Sequence, residues 1–596
     1  MRPFRALSTA CLAAAFAFVL AVPGVGCGAS PAQSPADSAL APPPTTAAPT
    51  TTAAAAPGAT AAPKETPAPS APHRFAVAAE NPTATRIAMD VLEKGGSAVD
   101  AAIAGVLAVG VTHPVSSGLG GGGFALVWDA KTKKATVLDF REKAPMGLKQ
   151  SEFAKRFPPE NKAGVMTGVP GEVAGLAELH ARWGKLAFAD LVRGPADAAD
   201  KGFPVSAHLA RALKWSEKWV TKAPRYGFFL DAGALVGAGK IVKNPALAAT
   251  LRKLGAEGKK AFYEGSIAAD IVATARAGGG HLSAADLKTY EVIERAPLRT
   301  RWEGYEVHTM PPPSAGGVMM LETLHMHTKA DLVALGHNSG AYAHLVAETF
   351  RGAVADRVRA IGDPAFVKVD VDGLVAPERM KARRARISLT ATTPAEKFRL
   401  KEAGTSHLVV VDADGNVVSI TSTVNNMFGA KLVTEGGFVL NDELEDFTTE
   451  RIEGLYGVTP LKGPNSPQPG ARPVSSMTPT IVLQGDRPVM ALGGSGGTRI
   501  ATGVTQVLLA HLAFGIPVSQ AVAGPRLETP PGGGLVVDAA FGPEVIKDLE
   551  TRGEVVDASK PNFSAVQAVS IQEGPGGMRV IEAAADPRKG GEGAVK

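Results

Sequence analysis

Residues 403–424 read AGTSHLVVVDADGNVVSITSTV, and they constrain the fold more than any other stretch of the chain. Two apolar runs, HLVVV and VVSIT, flank Asp-Ala-Asp-Gly-Asn. An Asp-Gly step between such runs signals a β-hairpin, because these residues tolerate the backbone angles a tight turn needs. A hairpin lays its two open ends side by side. Here that gathers Gly404, Thr405 and Ser406 with Ser419 to Thr423 and with Asn425, a set of hydroxyls at the mouth of one strand pair in mid-chain. A calcium loop does not explain the acidic turn. Counted from Asp412, an EF-hand loop needs Gly sixth and Glu twelfth, and those places hold Val417 and Thr423.

A threonine inside a chain is a poor nucleophile, since nothing removes its proton. Scission of the Gly404–Thr405 bond changes that. Thr405 then carries a free α-amine, with an ordinary pKa of about 7.7–8.0, on the same residue as its hydroxyl, and the amine can act as general base. The small Gly404 lets the backbone bend so that Thr405 Oγ reaches the preceding carbonyl. An N→O acyl shift and hydrolysis would free the amine. A plain strand start, with Thr chosen for β-propensity, remains the alternative on this segment alone.

Other segments supply complementary chemistry. GGSGGTRI, Gly493 to Ile500, lies between a predicted strand and a predicted helix. It lacks the third glycine of a dinucleotide fingerprint and the Gly-Lys-Ser/Thr of a P-loop. It reads either as a simple tight turn or as bare N–H groups placed to stabilise an oxyanion. The run Gly120 to Gly123 reads as close packing at a strand start. Arg141 in LDFREKAP, Ser475 and Ser476 in RPVSSMTP, and Glu443 and Asp446 in NDELEDF form the inventory a zwitterionic amino acid needs: a guanidinium and hydroxyls for its carboxylate, carboxylates for its ammonium.

The N-terminus reads as an export signal over residues 1–26, with Arg2 and Arg5 before an apolar run too short for a membrane span. A small residue precedes Cys27, as at bacterial lipoprotein cleavage sites, which makes Cys27 a candidate lipid anchor. The alternative is plain secretion. The chain has two cysteines, Cys11 and Cys27; loss of the leader leaves one, so no intrachain disulfide is expected. Residues 27–73, rich in Ala, Pro and Thr, read as a disordered tether. The protein is expected in the periplasm or at the cell surface. A formal charge of +5 over 596 residues, with no basic stripe interleaved with aromatics, argues against nucleic acid.

From Arg74 the pattern is that of a packed domain. Helices are expected at Pro82 to Gly95 and Ala98 to Val111, then a mostly helical stretch from Leu176 to about Leu400. Strands dominate after Thr405, followed by a helix from Thr498 to Phe514. Strands gathered in one half with helices on both sides predict an α+β fold of four layers, α/β/β/α.

Taken in order, ENPTATRIAMDVLEKGGSAVDAAIA, THPVSSGLGGGGF, LDFREKAP, MPPPSAGG, the hairpin with VNNMFG, NDELEDF, RPVSSMTPTIV and GGSGGTRI closely resemble the γ-glutamyltransferase family of N-terminal nucleophile hydrolases, over residues 74–585. The resemblance implies a precursor that cuts itself at Gly404–Thr405 into a large subunit, 74–404, and a small subunit, 405–596, which stay together as a heterodimer. It implies Thr405 as nucleophile, Thr423 bonded to its new terminal group, and Gly496 and Gly497 as oxyanion donors. Asn425, Glu443 and Asp446 would hold the glutamyl α-amine, and Arg141, Ser475 and Ser476 the α-carboxylate. The implied activity is glutathione hydrolysis and γ-glutamyl transfer to water, amino acids or peptides, with no cofactor and no metal. Tyr456 would latch a lid over the site, although Ala471 replaces the Lys usual before Arg-Pro. Two other readings accompany this one. One is a related acylase, for glutaryl and cephalosporin side chains or for poly-γ-glutamate. The other is a surface binding protein whose hairpin is never cut.

Overall fold

The computed structural model describes residues 73–596 apart from 155–159, 394–402, 448–455, 457, 460, 531–533 and 560–563. The expected leader, Cys27 and the tether up to residue 72 lie outside the described residues. His73, counted above with the tether, donates its amide to Arg579 O and accepts from Ile581 N through Nδ1.

A strand's two-residue period sorts side chains onto opposite faces, and the hairpin shows what that does here. Leu408, Val410, Val418 and Ile420 enter one apolar core, whereas Val409, Val411 and Val417 enter another. The hairpin is therefore buried on both sides and must lie in the middle of a layered structure. In chain order the main strands of the N-terminal part are β1 (Ala76–Ala79), β2 (Gly122–Asp129), β3 (Lys134–Phe140), β4 (Ile293–Arg295), β5 (Leu298–Trp302) and β6 (Tyr305–Thr309). After them come β7 (Ala403–Val411), β8 (Val417–Asn426), β9 (Thr480–Gln484), β10 (Arg487–Ser495), β11 (Ala565–Glu573), β12 (Arg579–Ala585) and β13 (Glu592–Val595).

These strands form a seven-stranded sheet in the order β13-β1-β7-β8-β2-β3-β4 and a six-stranded sheet in the order β12-β11-β10-β9-β6-β5. Neighbours in both run antiparallel. The sheets face each other across the β7–β10 contact. Gly493 in β10 makes that approach close, since a Cβ there would run into the His407 ring. Helix Ala98–Thr112, buried all round and started by a Ser97–Asp100 capping box, covers β7 and β8 from outside, and helix Ile500–Leu512 covers β10 and β11. The expected four layers are all present.

One expectation needs correction. The stretch from Leu176 to about Leu400 is not mostly helix throughout: β4, β5 and β6 lie within it, and β5 forms an edge of the second sheet. An edge strand buries little, and LRTRW carries two arginines on its exposed face, so it lacks the apolar run that marks a central strand. The late hairpin β11–β12 is a further element absent from those expectations, although Gly574-Pro575-Gly576-Gly577 between its strands is a strong turn signal. No helix of the described residues is long and apolar enough to cross a membrane.

Candidate active site

At the mouth of the hairpin the ladder breaks. Gly404 pairs with Asn425 and Ser406 with Ser422, and the register shifts between Gly404 and Ser406. Such an irregularity bends the strand locally and re-aims its side chains. Gly404 is required here by crowding, because a Cβ would stand 2.6 Å from Val115 O and 3.0 Å from Ser116 Cα. Thr405 Oγ donates to Gly404 O at 2.7 Å, and Thr423 Oγ donates to the same carbonyl, also at 2.7 Å. The two hydroxyls stand 3.2 Å apart, and Thr423 Oγ is fixed by the Asn425 amide at 2.9 Å. Two hydrogen bonds thus converge on the carbonyl preceding Thr405, in a buried setting where they polarise it strongly. Among the described residues no titratable side chain bonds Thr405 Oγ. His407, two positions on, turns instead to Thr421 and Ser419, and burial holds its pKa down at about 3.

The glycine run sets the neighbouring strand. Cβ atoms at Gly120, Gly121 and Gly123 would meet the Val439, Thr423 and Thr421 carbonyls respectively. Only glycine lets β2 lie this close to the strand that carries Thr423. Thr423 pairs with Gly122, and Gly123 with Phe140 at the end of β3. Arg141 and Glu142 therefore leave β3 at the same end of the sheet, two strands away, or about 10 Å at ordinary strand spacing.

Arg141 is 1% exposed. Its guanidinium donates to Pro473 O at 3.2 Å, Val474 O at 3.0 Å, Asp446 Oδ2 at 2.6 Å, and to Glu443. The groups expected to grip opposite ends of a zwitterion thus grip each other. Burial disfavours the charged guanidinium, but Glu443, Asp446 and Glu142 outweigh it and raise the pKa. Burial likewise pushes Glu443 well above the usual carboxylate range, against the pull of Arg141.

The remaining predicted residues are placed as follows. Ser476 Oγ is buried and has no partner among the described residues. Ser475 Oγ accepts from Met477 N at 3.1 Å. Asn425, held at φ 71°, spends its side-chain amide on Asp442 O at 3.1 Å, so its expected hold on an amine is committed elsewhere. Gly496 and Gly497 adopt φ 124° and 64° in the turn after β10, angles that L side chains rarely take, and the 3₁₀ turn they open packs on β7. Tyr456 accepts at its carbonyl from Arg359 Nε at 2.9 Å; of the stretch between Asp446 and Ser475 expected to form the lid, 448–455, 457 and 460 lie outside the described residues.

Sequence reasoning missed four buried groups. Glu142 adjoins Arg141, and burial pushes its pKa up to about 8. Glu172 accepts from Ser422 Oγ at 2.7 Å, and burial raises it, too, to about 8. Lys589 and Glu80 lie behind Thr405. Adjacency to Arg141 could have flagged Glu142; the others carry no local motif. Among the described residues His344, Glu348 and Glu554 have donor atoms close enough to share an ion, but Arg351 pairs with both carboxylates and already supplies the positive charge.

Two antiparallel sheets face to face between helical layers, with a threonine after a closely packed glycine at a strand mouth, define an N-terminal nucleophile hydrolase fold. Comparison with known proteins agrees. The profile of the family described as gamma-glutamyltranspeptidase matches residues 84–596. The glutathione hydrolase proenzyme of Bacillus subtilis strain 168 is 34% identical over 532 residues, covering 85% of this chain and 89% of that protein. Among solved structures, a cephalosporin acylase from Bacillus halodurans gives a TM-score of 0.78 at 26% identity, over 90% of this chain and 99% of that one. The gamma-glutamyltranspeptidase of Helicobacter pylori gives 0.50 at 33% identity, over 53% of this chain and 92% of that one. The chain belongs to the gamma-glutamyltranspeptidase family.

Proposed function

We propose that the protein is a self-cleaving γ-glutamyltransferase with glutathione hydrolase activity, and that Thr405 is its nucleophile in both reactions. The observation that carries this reading is the pair of 2.7 Å hydrogen bonds from Thr405 and Thr423 to one carbonyl, that of Gly404. In maturation Thr405 Oγ attacks the Gly404 carbonyl carbon while Thr423 stabilises the developing oxyanion. The C–N bond breaks, the hydroxyl proton passes to the departing Thr405 nitrogen, the amide becomes an ester, and water hydrolyses the ester. The products are a large subunit ending at Gly404 and a small subunit, 405–596, whose first residue carries a free amine.

In catalysis that amine takes the Thr405 hydroxyl proton as Oγ attacks the γ-amide of glutathione or a related compound. Gly496 and Gly497 N–H groups hold the oxyanion. The substrate's α-carboxylate takes Arg141 and Ser476, with Ser475 beside them, and its α-ammonium takes Glu443 and Asp446, with Asn425 at the edge of that subsite. One internal ion-pair cluster is thereby exchanged for two pairings with a zwitterion. The γ-glutamyl ester then passes to water, or to the amine of an amino acid or peptide. The Asp446 carboxylate, 32% exposed, gives a charge-matched site for an ammonium, which a glutaryl group lacks.

The structural likeness to a cephalosporin acylase supports a second reading as a glutaryl acylase. Rates on matched γ-glutamyl and glutaryl anilides separate the two: the γ-glutamyl anilide is expected to react faster, and a preference for glutaryl overturns the assignment. Export, with Cys27 as candidate lipid anchor, rests on the leader sequence; fatty-acid labelling lost in Cys27→Ala is the expected result.

A further inference from the structure

The mechanism above leaves unused a buried charged pair that touches Thr405. Lys589, in the turn between β12 and β13, is 4% exposed. Its Nζ donates to the main-chain carbonyl of Thr405 at 2.6 Å and to Glu80 Oε2 at 3.2 Å. Glu80 lies just past β1, the strand beside β7, and is fully buried. Lysine and glutamate are almost never fully buried unless paired, and here the pair aims its cation at one specific residue. The acceptor belongs to Thr405 itself, so a fixed positive charge stands within a residue's width of the amine that scission creates.

We propose that Lys589, held by Glu80, is a positioning residue that fixes the Thr405 main chain and lowers the proton affinity of the Thr405 α-amine, leaving that amine unprotonated near neutral pH. The proposal rests on Thr405 being the N-terminal nucleophile. A positive charge disfavours a second one nearby, and in a buried site water screens the pair poorly.

The other groups around the mouth do not supply this effect. His113, ending helix Ala98–Thr112, and His407 on β7 are buried; burial, aided at His113 by Lys589, keeps both at about 3 and therefore neutral. Burial raises the Glu80 carboxyl while Lys589 opposes the rise. Glu172, from the helix packed on β2 and β3, reaches Ser422 and not Thr405. Arg499, after β10, is paired with Glu528 at 3.3 Å. Among the described residues Lys589 is the one cation in contact with Thr405.

The test compares Lys589→Gln, which keeps a donor for the Thr405 carbonyl but removes the charge, with Lys589→Arg, which keeps both. Intact mass first establishes that each variant is cut before Thr405; an uncut wild type refutes the nucleophile reading itself, a result distinct from those that follow. The pH profile of kcat/KM on a γ-glutamyl anilide then decides. In Lys589→Gln the acidic limb is expected to move up by about one pH unit, costing roughly tenfold below the limb and little at high pH, while Lys589→Arg keeps the wild-type limb. A cut Lys589→Gln enzyme with an unmoved limb overturns the proposal. Should that variant fail to fold, titration of the Thr405 amine in ¹⁵N-threonine-labelled wild type decides instead. A value below the ordinary range of about 7.7–8.0 supports the proposal, and a value within or above it refutes it.

Discussion

The two ends of one hairpin obey different rules. At the turn end, Asp412 accepts from the Asn416 amide at 2.9 Å, from Asn416 Nδ2 at 2.8 Å and from Ala98 N at 2.9 Å. Gly415 supplies the positive φ, and the polar groups of the turn are answered within it and by Ala98, Ala130 and Arg579 around it. At the mouth, two hydroxyls crowd one carbonyl, the register slips and a glycine is pinned against a neighbouring loop. The ladder of this antiparallel pair is complete at the turn and interrupted at the mouth, where the proposed nucleophile sits. Bond-making side chains sit where regular pairing has been given up.

The sharpest way to break this contrast is to remove the nucleophile. Thr405→Ala is expected to remain one chain and to lose more than about 10⁴-fold in kcat, measured by denaturing electrophoresis and anilide hydrolysis. Next in size, Arg141→Met leaves Glu443 buried without its cation, and a broken buried pair costs about 3–5 kcal/mol. A lower denaturation midpoint and a kcat/KM down by about 10²–10³-fold are expected, with an unchanged KM contradicting the assigned subsite. Thr423→Ala removes one of the two donors to the Gly404 carbonyl, and the scission rate is expected to fall by about 10²-fold in a time course of purified precursor, with Thr423→Ser much closer to wild type. Gly404→Ala tests the crowding alone: the added methyl meets Val115 O, overpacking of about 1–3 kcal/mol that should slow scission several-fold.

The smallest effect concerns pH. Burial raises Glu172 from 4.5 to about 8, so the folded state binds its proton more tightly than the unfolded one does. Its contribution to stability is complete below about 4.5 and is lost as pH rises through about 8. Glu172→Gln, which keeps the neutral form, should flatten the decline of Tm over that window, by roughly 2–4 °C at its alkaline end.

Much of this was legible in the chain because the relevant signals are local. The Asp-Gly turn, the apolar runs of β7 and β8 and the glycine runs each act through neighbours in sequence, and the four layers follow from strands buried on two faces. The family resemblance extended this to residues far apart, Arg141 with Asp446 among them. What stayed hidden depends on long-range placement. Edge strand β5 needs no apolar run. Lys589 and Glu80 stand 509 positions apart, and nothing near either marks it as a neighbour of Thr405. Nor could spacing show that Arg141 pairs with Glu443 and Asp446, or that the Asn425 amide is taken by Asp442.

The central claim is that breaking one peptide bond turns Thr405 into a nucleophile with its own base. N-terminal sequencing of the smaller polypeptide from active protein tests it directly. The sequence expected is Thr-Ser-His-Leu-Val, beginning at Thr405. An active protein that remains a single chain, or a small polypeptide beginning at any other residue, contradicts it.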